Sequence, residues 1–464
     1  AWLWARTVKC PNPACGAQMP LVRSFELSKK KGRKAWVEPR VDPYTRRISF
    51  EVRTGNGLAP EGTVNRRGAT CIACGSPVPF DHIRAEGKAG RMGAQLMAIV
   101  TEGQNGRSYY APTPEHERIA QVEIPASAPD TDLPEQALGF RVQLYGMTKH
   151  RDLFTPRQLV ALTTFSDLVG EAREQVYADA LAAGLRDNGV PLRDGGSGAR
   201  AYAEAVSVYL GMAVSRLSDI CNALCRWETS KTQVRNLFGR QAIPMVWDYA
   251  ENNFFAKAAG DFAVTLGSML KVIERVDTNT AGYAQQEDVQ KLSLSYSPVI
   301  STDPPYYDNI GYADLSDFFY TWLRGSLRHI FPDIFGTLLV PKEPELVATP
   351  YRFDGDSAAA DKHFEGGLLK AFQNMRRAIH PDYPLTVYYA FKQSESDEDE
   401  KGENGHGISS TGWETMLESM IQAGFAVGGT WPIRTELSNR PVASGTNALA
   451  SSIVLVCRPR PDDA

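Results

Sequence analysis

The spacing of apolar positions changes twice along the chain. Over about the first 110 residues apolar and polar positions alternate in short runs, the period of strands. Residues 34–41 and 46–53 flank the turn-forming Asp42-Pro43-Tyr44-Thr45 and predict a β-hairpin; residues 95–100 and 107–111 flank Gln104-Asn105-Gly106 and predict a second. A stretch at 125–134 rich in proline, serine and aspartate reads as a linker. Helical spacing then takes over. Thr155 before Pro156 is an N-cap with proline in the first turn, for a helix to about Ala183. A second helix follows the glycines of 194–198 and reaches about Trp227, and a third covers 261–276. The second carries an apolar stripe through Tyr202, Val206, Tyr209, Ala213, Leu217, Ile220 and Leu224, with Cys221 and Cys225 one turn apart in its core. No apolar strand feeds the glycines of 194–198, which therefore read as loop and cap, not as a phosphate loop.

From about Gly282 strands and helices alternate. The pattern gives a strand ending near Glu287 and Asp288, a strand at 297–301, helices at 314–328 and 358–379, a strand at 385–391, a helix at 412–423, and strands at 425–431 and 452–458. The fold class is α/β, divided into a β subdomain at 1–112, a linker at 113–150, a helical block at 151–278 and an α/β domain at 279–464.

Composition narrows the function classes. A chain of 464 residues, 43% hydrophobic, has material for two or three cores. No apolar run approaches the roughly 18 residues that span a bilayer, and no signal-like segment opens the chain, so no membrane partner is expected. Seven cysteines without such a segment point to the reducing cytoplasm and to metal ligation. Net charge is −4, so any nucleic-acid surface must be local. One such surface is present: Arg23, Lys29, Lys30, Lys31, Arg33, Lys34, Arg40, Arg46, Arg47, Arg53, Arg66 and Arg67 outnumber Glu26, Glu38, Asp42, Glu51 and Glu61. The acidic tract 395–403 reads as a solvated face.

The basic stretch lies between two cysteine knuckles, Cys10-Pro-Asn-Pro-Ala-Cys15-Gly16 and Cys71-Ile-Ala-Cys74-Gly75. Zinc takes four thiolates in a tetrahedron, and a short turn closed by glycine sets two sulfurs on one edge of it. Cys10, Cys15, Cys71 and Cys74 are the expected ligands of one structural zinc. The basic hairpin between them is suited either to lie along phosphates or to shield the metal.

Residues 302–312 read Thr-Asp-Pro-Pro-Tyr-Tyr-Asp-Asn-Ile-Gly-Tyr. Two prolines hold the backbone extended and remove its donors, leaving carbonyls free to accept. An exocyclic amine such as adenine N6 offers two hydrogens, which the Asp303 carboxylate and the Pro304 carbonyl can accept while Tyr306 covers the face of the extruded base. The stretch 299–324, with Asp303-Pro304-Pro305-Tyr306 followed by Tyr-Asp-Asn-Ile-Gly-Tyr-Ala-Asp-Leu-Ser-Asp-Phe-Phe-Tyr-Thr-Trp-Leu-Arg, resembles the adenine-specific DNA methyltransferases that carry an embedded zinc ribbon. The likeness extends to Phe238-Gly239-Arg240-Gln241-Ala242-Ile243-Pro244-Met245-Val246-Trp247-Asp248 and to Trp2-Leu3-Trp4-Ala5-Arg6-Thr7.

The resemblance implies S-adenosylmethionine as donor, DNA as partner and a Rossmann-like methyltransferase sheet, here the second half of one. It assigns the amine grip to Asp303, Pro304, Pro305 and Tyr306, with Tyr307 and Asn309 lining the pocket and Arg434 and Arg440 where a target strand passes; Asp288 reads either as a group near the donor's adenine amine or as a surface carboxylate near a strand end. The glycine-rich turn and acidic residue that normally hold the donor do not occur before Gly282, so a missing amino-terminal half or a partner subunit is expected to supply them. RNA or a protein amide as acceptor is a second reading. A catalytically silent zinc-ribbon module that binds nucleic acid is a third.

Overall fold

The computed structural model describes residues 1–103, 106–276, 282–293, 295–308, 310–390, 408–433 and 452–461. The chain forms two bodies, one of 1–281 with 313–340, the other of 282–312 with 341–464, and is mixed α/β throughout.

In the first body β1 (Trp2–Lys9), β2 (Gln18–Leu21), β3 (Glu26–Ser28), β4 (Ala35–Val41), β5 (Ile48–Thr54), β6 (Val64–Asn65), β7 (Gly68–Thr70) and β8 (Pro77–Val78) lead to α1 (Phe80–Lys88). Then come β9 (Gly93–Gly103), β10 (Gly106–Tyr110) and α2 (Pro114–Ile119), followed by α3 (Pro156–Ala182) and α4 (Ala199–Ile220). The body continues through β11 (Arg226–Glu228), β12 (Gln233–Arg235), β13 (Asp248–Glu251), α5 (Phe262–Ile273) and α6 (Tyr312–Leu327), whose residues from Ala313 onward belong to it. β1 is the spine: β9 and β13 flank it in the order β10-β9-β1-β13, and β2 pairs with its far end, all antiparallel. Both expected hairpins form, with Ala35 opposite Thr54 and Val41 opposite Ile48 in the first. Its turn is fixed by Asp42, whose carboxylate accepts from the Tyr44 and Thr45 amides at 2.9 and 2.7 Å.

A buried carboxylate ties β1, β13 and α3 together. Glu251 accepts from Trp4 Nε1 and Thr155 Oγ1, each at 2.9 Å, and from two nitrogens of Arg157 at 2.8 and 2.9 Å, so its charge is both paired and fully hydrogen-bonded. Thr155 is the expected N-cap, and it makes a capping box with Gln158.

Helix α4 departs from the expectation. It ends at Ile220, because Asn222 turns its side chain back onto the Ser218 and Asp219 carbonyls at 2.9 and 3.0 Å and leads the chain out of the helix. Cys221 and Cys225 are therefore buried beyond the helix, not one turn apart within it. Tyr202 and Tyr209 of the expected stripe are 54% and 43% exposed, while small residues such as Ser207, Gly211 and Ser218 are buried and permit close approach. A Cβ on Gly211 would lie 2.8 Å from Leu327 of α6. The aromatic run of α6 is core: Phe318 stacks on Phe154 at 5.5 Å and meets Phe238 edge-on at 5.1 Å, and Trp322 meets Phe154 edge-on at 5.2 Å.

The second body holds β14 (Ser301–Thr302), α7 (Ser357–Ala378), β15 (Leu385–Ala390), α8 (Ile408–Gln422), β16 (Phe425–Ile433) and β17 (Ser452–Pro459). Its sheet order is β14-β15-β17-β16, with β14 parallel to β15 and the other pairs antiparallel. Phe364, Leu368 and Phe372 of α7 and Met416 and Met420 of α8 pack with Leu385, Val387, Phe425 and Leu455 of the strands. The strand expected at 297–301 shrinks to Ser301–Thr302, because Pro298, Pro304 and Pro305 cannot donate to a ladder. No strand forms near Glu287 and Asp288; there the Asp288 carboxylate accepts from the Gln290 amide at 3.0 Å and closes a turn instead. Among the described residues no helix is long and apolar enough to cross a membrane.

Candidate functional site

The first knuckle follows β1. Asn12 accepts at its carbonyl from the Cys15 and Gly16 amides, each at 3.0 Å, and Gly16 at φ 57° turns the chain back. The second repeats the device, with Gly75 at φ 74° donating to the Cys71 carbonyl at 2.7 Å. The first turn connects β1 to β2 and the second connects β7 to β8, and the two come together at their sulfurs. Cys10 Sγ lies 3.8 Å from Cys74 Sγ, Cys15 Sγ lies 3.9 Å from Cys71 Sγ, and all four sulfurs are within 4.8 Å of one another. A tetrahedron with metal–sulfur bonds of about 2.3 Å has edges of about 3.8 Å, so the four can hold a metal such as zinc.

Burial pushes the Cys10 thiol up to about 12, whereas the Ser76 hydroxyl and amide draw Cys74 down to about 6. A dication among them would hold all four as thiolates and would supply the folding energy of the loops it joins. The basic hairpin is attached to this cluster, for Arg46, at the end of its turn, donates to the Ala73 carbonyl at 3.3 Å. Part of the hairpin's charge is already paired, since Arg40 and Arg53 both meet Glu51, at 3.3 and 2.5 Å.

In the second body Asp303-Pro304-Pro305-Tyr306 leaves the carboxyl end of β14. Asp303 and Pro305 are exposed, Pro304 is buried and Tyr306 is half-buried. The Tyr306 hydroxyl donates to Asp303 Oδ1 at 2.5 Å, and its ring meets Tyr389 edge-on at 5.1 Å. Tyr389 in turn lies 5.3 Å from Trp413, giving an aromatic wall behind the tetrapeptide.

Tyr307 is held from several directions. It sits at φ 56°, donates its hydroxyl to Asp361, accepts at its carbonyl from the Ala348 amide at 3.1 Å and rests its ring edge on Phe364 at 5.2 Å. Desolvation, reinforced by the Asp361 carboxylate, raises its phenol well above the usual range. Gly412 makes room for this arrangement: a Cβ there would come within 3.0 Å of the Tyr307 Cβ. Nothing in the sequence pattern marks Tyr389, Trp413 or Asp361 as neighbours of the tetrapeptide. Alternation marks Leu385–Ala390 as a strand, but not which tyrosine of Tyr388-Tyr389 turns toward the tetrapeptide.

Asp288 is engaged by Lys291 at 3.2 Å as well as by the Gln290 amide. Beside it a cleft of about 310 Å³ runs between β14 and α7, lined mainly by apolar side chains such as Val289, Leu292, Val299, Ile300 and Met375. Asn309, Arg434, Arg440 and the acidic tract lie outside the described residues. Compared with models of protein families, with curated proteins and with solved structures, the chain gave no match.

Proposed function

We propose that the chain is the target-base half of an S-adenosylmethionine-dependent DNA adenine N6 methyltransferase. The observation that carries this reading is the position of Asp303-Pro304-Pro305-Tyr306 at the carboxyl end of a strand in a parallel pair, where open α/β sheets take their ligands. One parallel pair continued by two antiparallel strands also suits the second half of a Rossmann-like methyltransferase sheet.

The acceptor chemistry follows from three groups, the Asp303 carboxylate, the Pro304 carbonyl and the Tyr306 ring. An amine entering beside Asp303 donates one hydrogen to its carboxylate and the other to the Pro304 carbonyl, which leaves the nitrogen lone pair presented outward. Admission of the amine exchanges the Tyr306–Asp303 hydrogen bond for one from the base and frees the ring to stack, with Tyr389 and Trp413 behind it. Orientation of this kind is the larger part of what such a transfer needs, since no strong base is required. The described residues do not fit the donor: Asp288 is taken up by Lys291 and Gln290, and no glycine-rich turn follows a strand of the second body among them. The chain is accordingly assigned the acceptor side alone, with the donor's site supplied elsewhere in the assembly. In the first body we read the four cysteines with their basic hairpin as a zinc ribbon that carries DNA.

The lack of a donor site among the described residues favours one rival, a catalytically silent DNA-binding module. Methyl-tritiated S-adenosylmethionine, duplex DNA and this chain together with the polypeptide that completes the donor site separate the two. Label is expected on adenine; Asp303→Ala abolishes transfer, Tyr306→Trp retains part of it, and both variants still bind DNA. Wild-type transfer by Asp303→Ala, or label on cytosine or a protein amide, refutes the adenine assignment. DNA binding without any label identifies the silent module.

A further inference from the structure

We infer that the first body contains a preformed site for a phosphoryl group of a nucleic-acid backbone, built by the β3–β4 turn, the β9–β10 hairpin and the β11–β12 turn. These three segments enclose a cavity of about 130 Å³ lined by Ser28, Lys30, Arg33, Arg107, Tyr109 and Thr232. They are stitched together before any ligand arrives: the Lys29 amide donates to the Thr229 carbonyl at 3.1 Å, and Trp227 Nε1 donates to the Leu27 carbonyl at 2.7 Å. Ser28 and Thr232 are buried and Tyr109 is half-buried; Ser28 Oγ accepts from the Lys30 amide at 3.3 Å and Thr232 Oγ1 donates to the Lys231 carbonyl at 2.7 Å, which fixes the two turns from within.

Arg107 is locked in place. It donates to Thr232 Oγ1 at 2.9 Å and to the Lys231 carbonyl at 3.4 Å, and its guanidinium lies 5.8 Å from the centre of the Trp227 ring. Arg33 enters from the opposite rim across Gly106. An Arg33 guanidinium nitrogen lies 2.5 Å from where a Cβ on Gly106 would stand, so the end of the side chain rests against the backbone there. Glu102, 3.8 Å from Arg107, is the one acidic group among the lining residues, against the three cations Lys30, Arg33 and Arg107.

Size and charge together select the ligand. The cavity is below the roughly 300 Å³ of a pocket that encloses a small organic molecule, so it takes a group, not a whole nucleotide. Two guanidiniums and an ammonium, drawn from separate segments of the chain, can meet oxygens on more than one side of a bound group, which a tetrahedral oxyanion offers and a planar carboxylate does not. The site also continues into an exposed cationic run. Lys30, Lys31, Arg33 and Lys34 have no ion pair among the described residues, whereas Lys29 meets Glu26 at 2.7 Å. A group that is small in the cavity but has neighbours of the same charge along this run is a phosphate of a polymer backbone.

The inference rests on the nucleic-acid reading only for the polymer that carries the phosphate, and two measurements on the full chain keep the two apart. Anisotropy of a fluorescein-labelled duplex is expected to show Arg33→Gln and Arg107→Gln each weakening binding by about fivefold or more and each flattening the salt dependence by about one unit. The melting temperature in inorganic phosphate, against sodium chloride at matched ionic strength, is expected to rise for the wild type and not for either variant. Arg107 also braces the Thr232 turn, so the exposed Arg33 carries the test should Arg107→Gln fail to fold. Equal affinity for 5′-phosphorylated and 5′-hydroxyl duplexes identifies an internal phosphodiester; preference for the phosphorylated one identifies a terminal phosphate. Wild-type duplex binding with an unchanged slope and unchanged phosphate response in Arg33→Gln overturns the site and leaves the nucleic-acid reading standing. Phosphate protection without any duplex binding overturns the polymer and leaves an orthophosphate site.

Discussion

At the scale of single residues, the ones legible in the sequence were those whose partners are fixed by short spacing. Cys10 with Cys15, and Cys71 with Cys74, each sit in a turn of a few residues, so their sulfurs converge whatever the rest of the chain does. Asp248 is the opposite case, since its surroundings come from residues 225 positions away: its carboxylate accepts from the Arg23 amide at 2.8 Å. Burial pushes its pKa up to about 7, and the Arg23 amide and its own amide only partly oppose that. An unfolded aspartate titrates near 3.9, so between about pH 4 and 7 the unfolded chain has lost the proton that the folded chain keeps. Stability therefore falls as pH rises through that window, by at most about 1.4 kcal/mol per pH unit, and the loss is complete above it. Asp248→Asn keeps an acceptor for the Arg23 amide without the charge, so it should gain stability relative to wild type on going from pH 5 to pH 8 in urea titrations. A difference that does not change with pH would mean that the folded carboxylate is already ionised at pH 5.

At the scale of elements, the hairpin of β4 and β5 and the helix α3 were legible because local chemistry alone determines them, an Asp42 turn in one and a Thr155 capping box in the other. The strand into Asp303 was legible in place but not in length, because neighbouring prolines count for less in an apolar pattern than in a hydrogen-bond ladder. Least legible were close approaches between elements. Helix α1 meets the one-turn helix Val142–Tyr145 through glycine: a Cβ on Gly87 would lie 2.4 Å from the Tyr145 carbonyl oxygen, and one on Gly146 would lie 2.2 Å from the Gly87 carbonyl oxygen. Helix propensity alone says that Gly87→Ala stabilises by about 1 kcal/mol. The contact is with backbone, which cannot swing aside, so the structure says that the same change destabilises by roughly 1–3 kcal/mol. Equilibrium unfolding of Gly87→Ala decides between them, and a more stable variant would remove the close contact from the account.

At the scale of the molecule, the core around the cysteines and the core of the second body are built from different residues. Cys10 and Cys71 belong to the same buried cluster as Val8, Met19, Phe25 and Ile83, which joins β1 to the small sheets around the cysteines. The core of the second body is made of other residues, from Leu346 to Cys457. A metal at the cysteines would therefore act on the first body through its own core. Purified under mild conditions, the chain is expected to carry about one equivalent of zinc by elemental analysis. Stripping it with a chelator, or changing Cys74 to Ser, should raise hydrogen exchange across β1 to β10 while the amides of β15 and β17 keep their protection. Cys74 is the exposed member of the four, so Cys74→Ser leaves no large cavity, and what it removes is chiefly the fourth bond to the metal. Less than about half an equivalent of zinc in the wild type, or unaltered exchange across β1 to β10 once the metal is gone, would make these cysteines ordinary core and surface thiols.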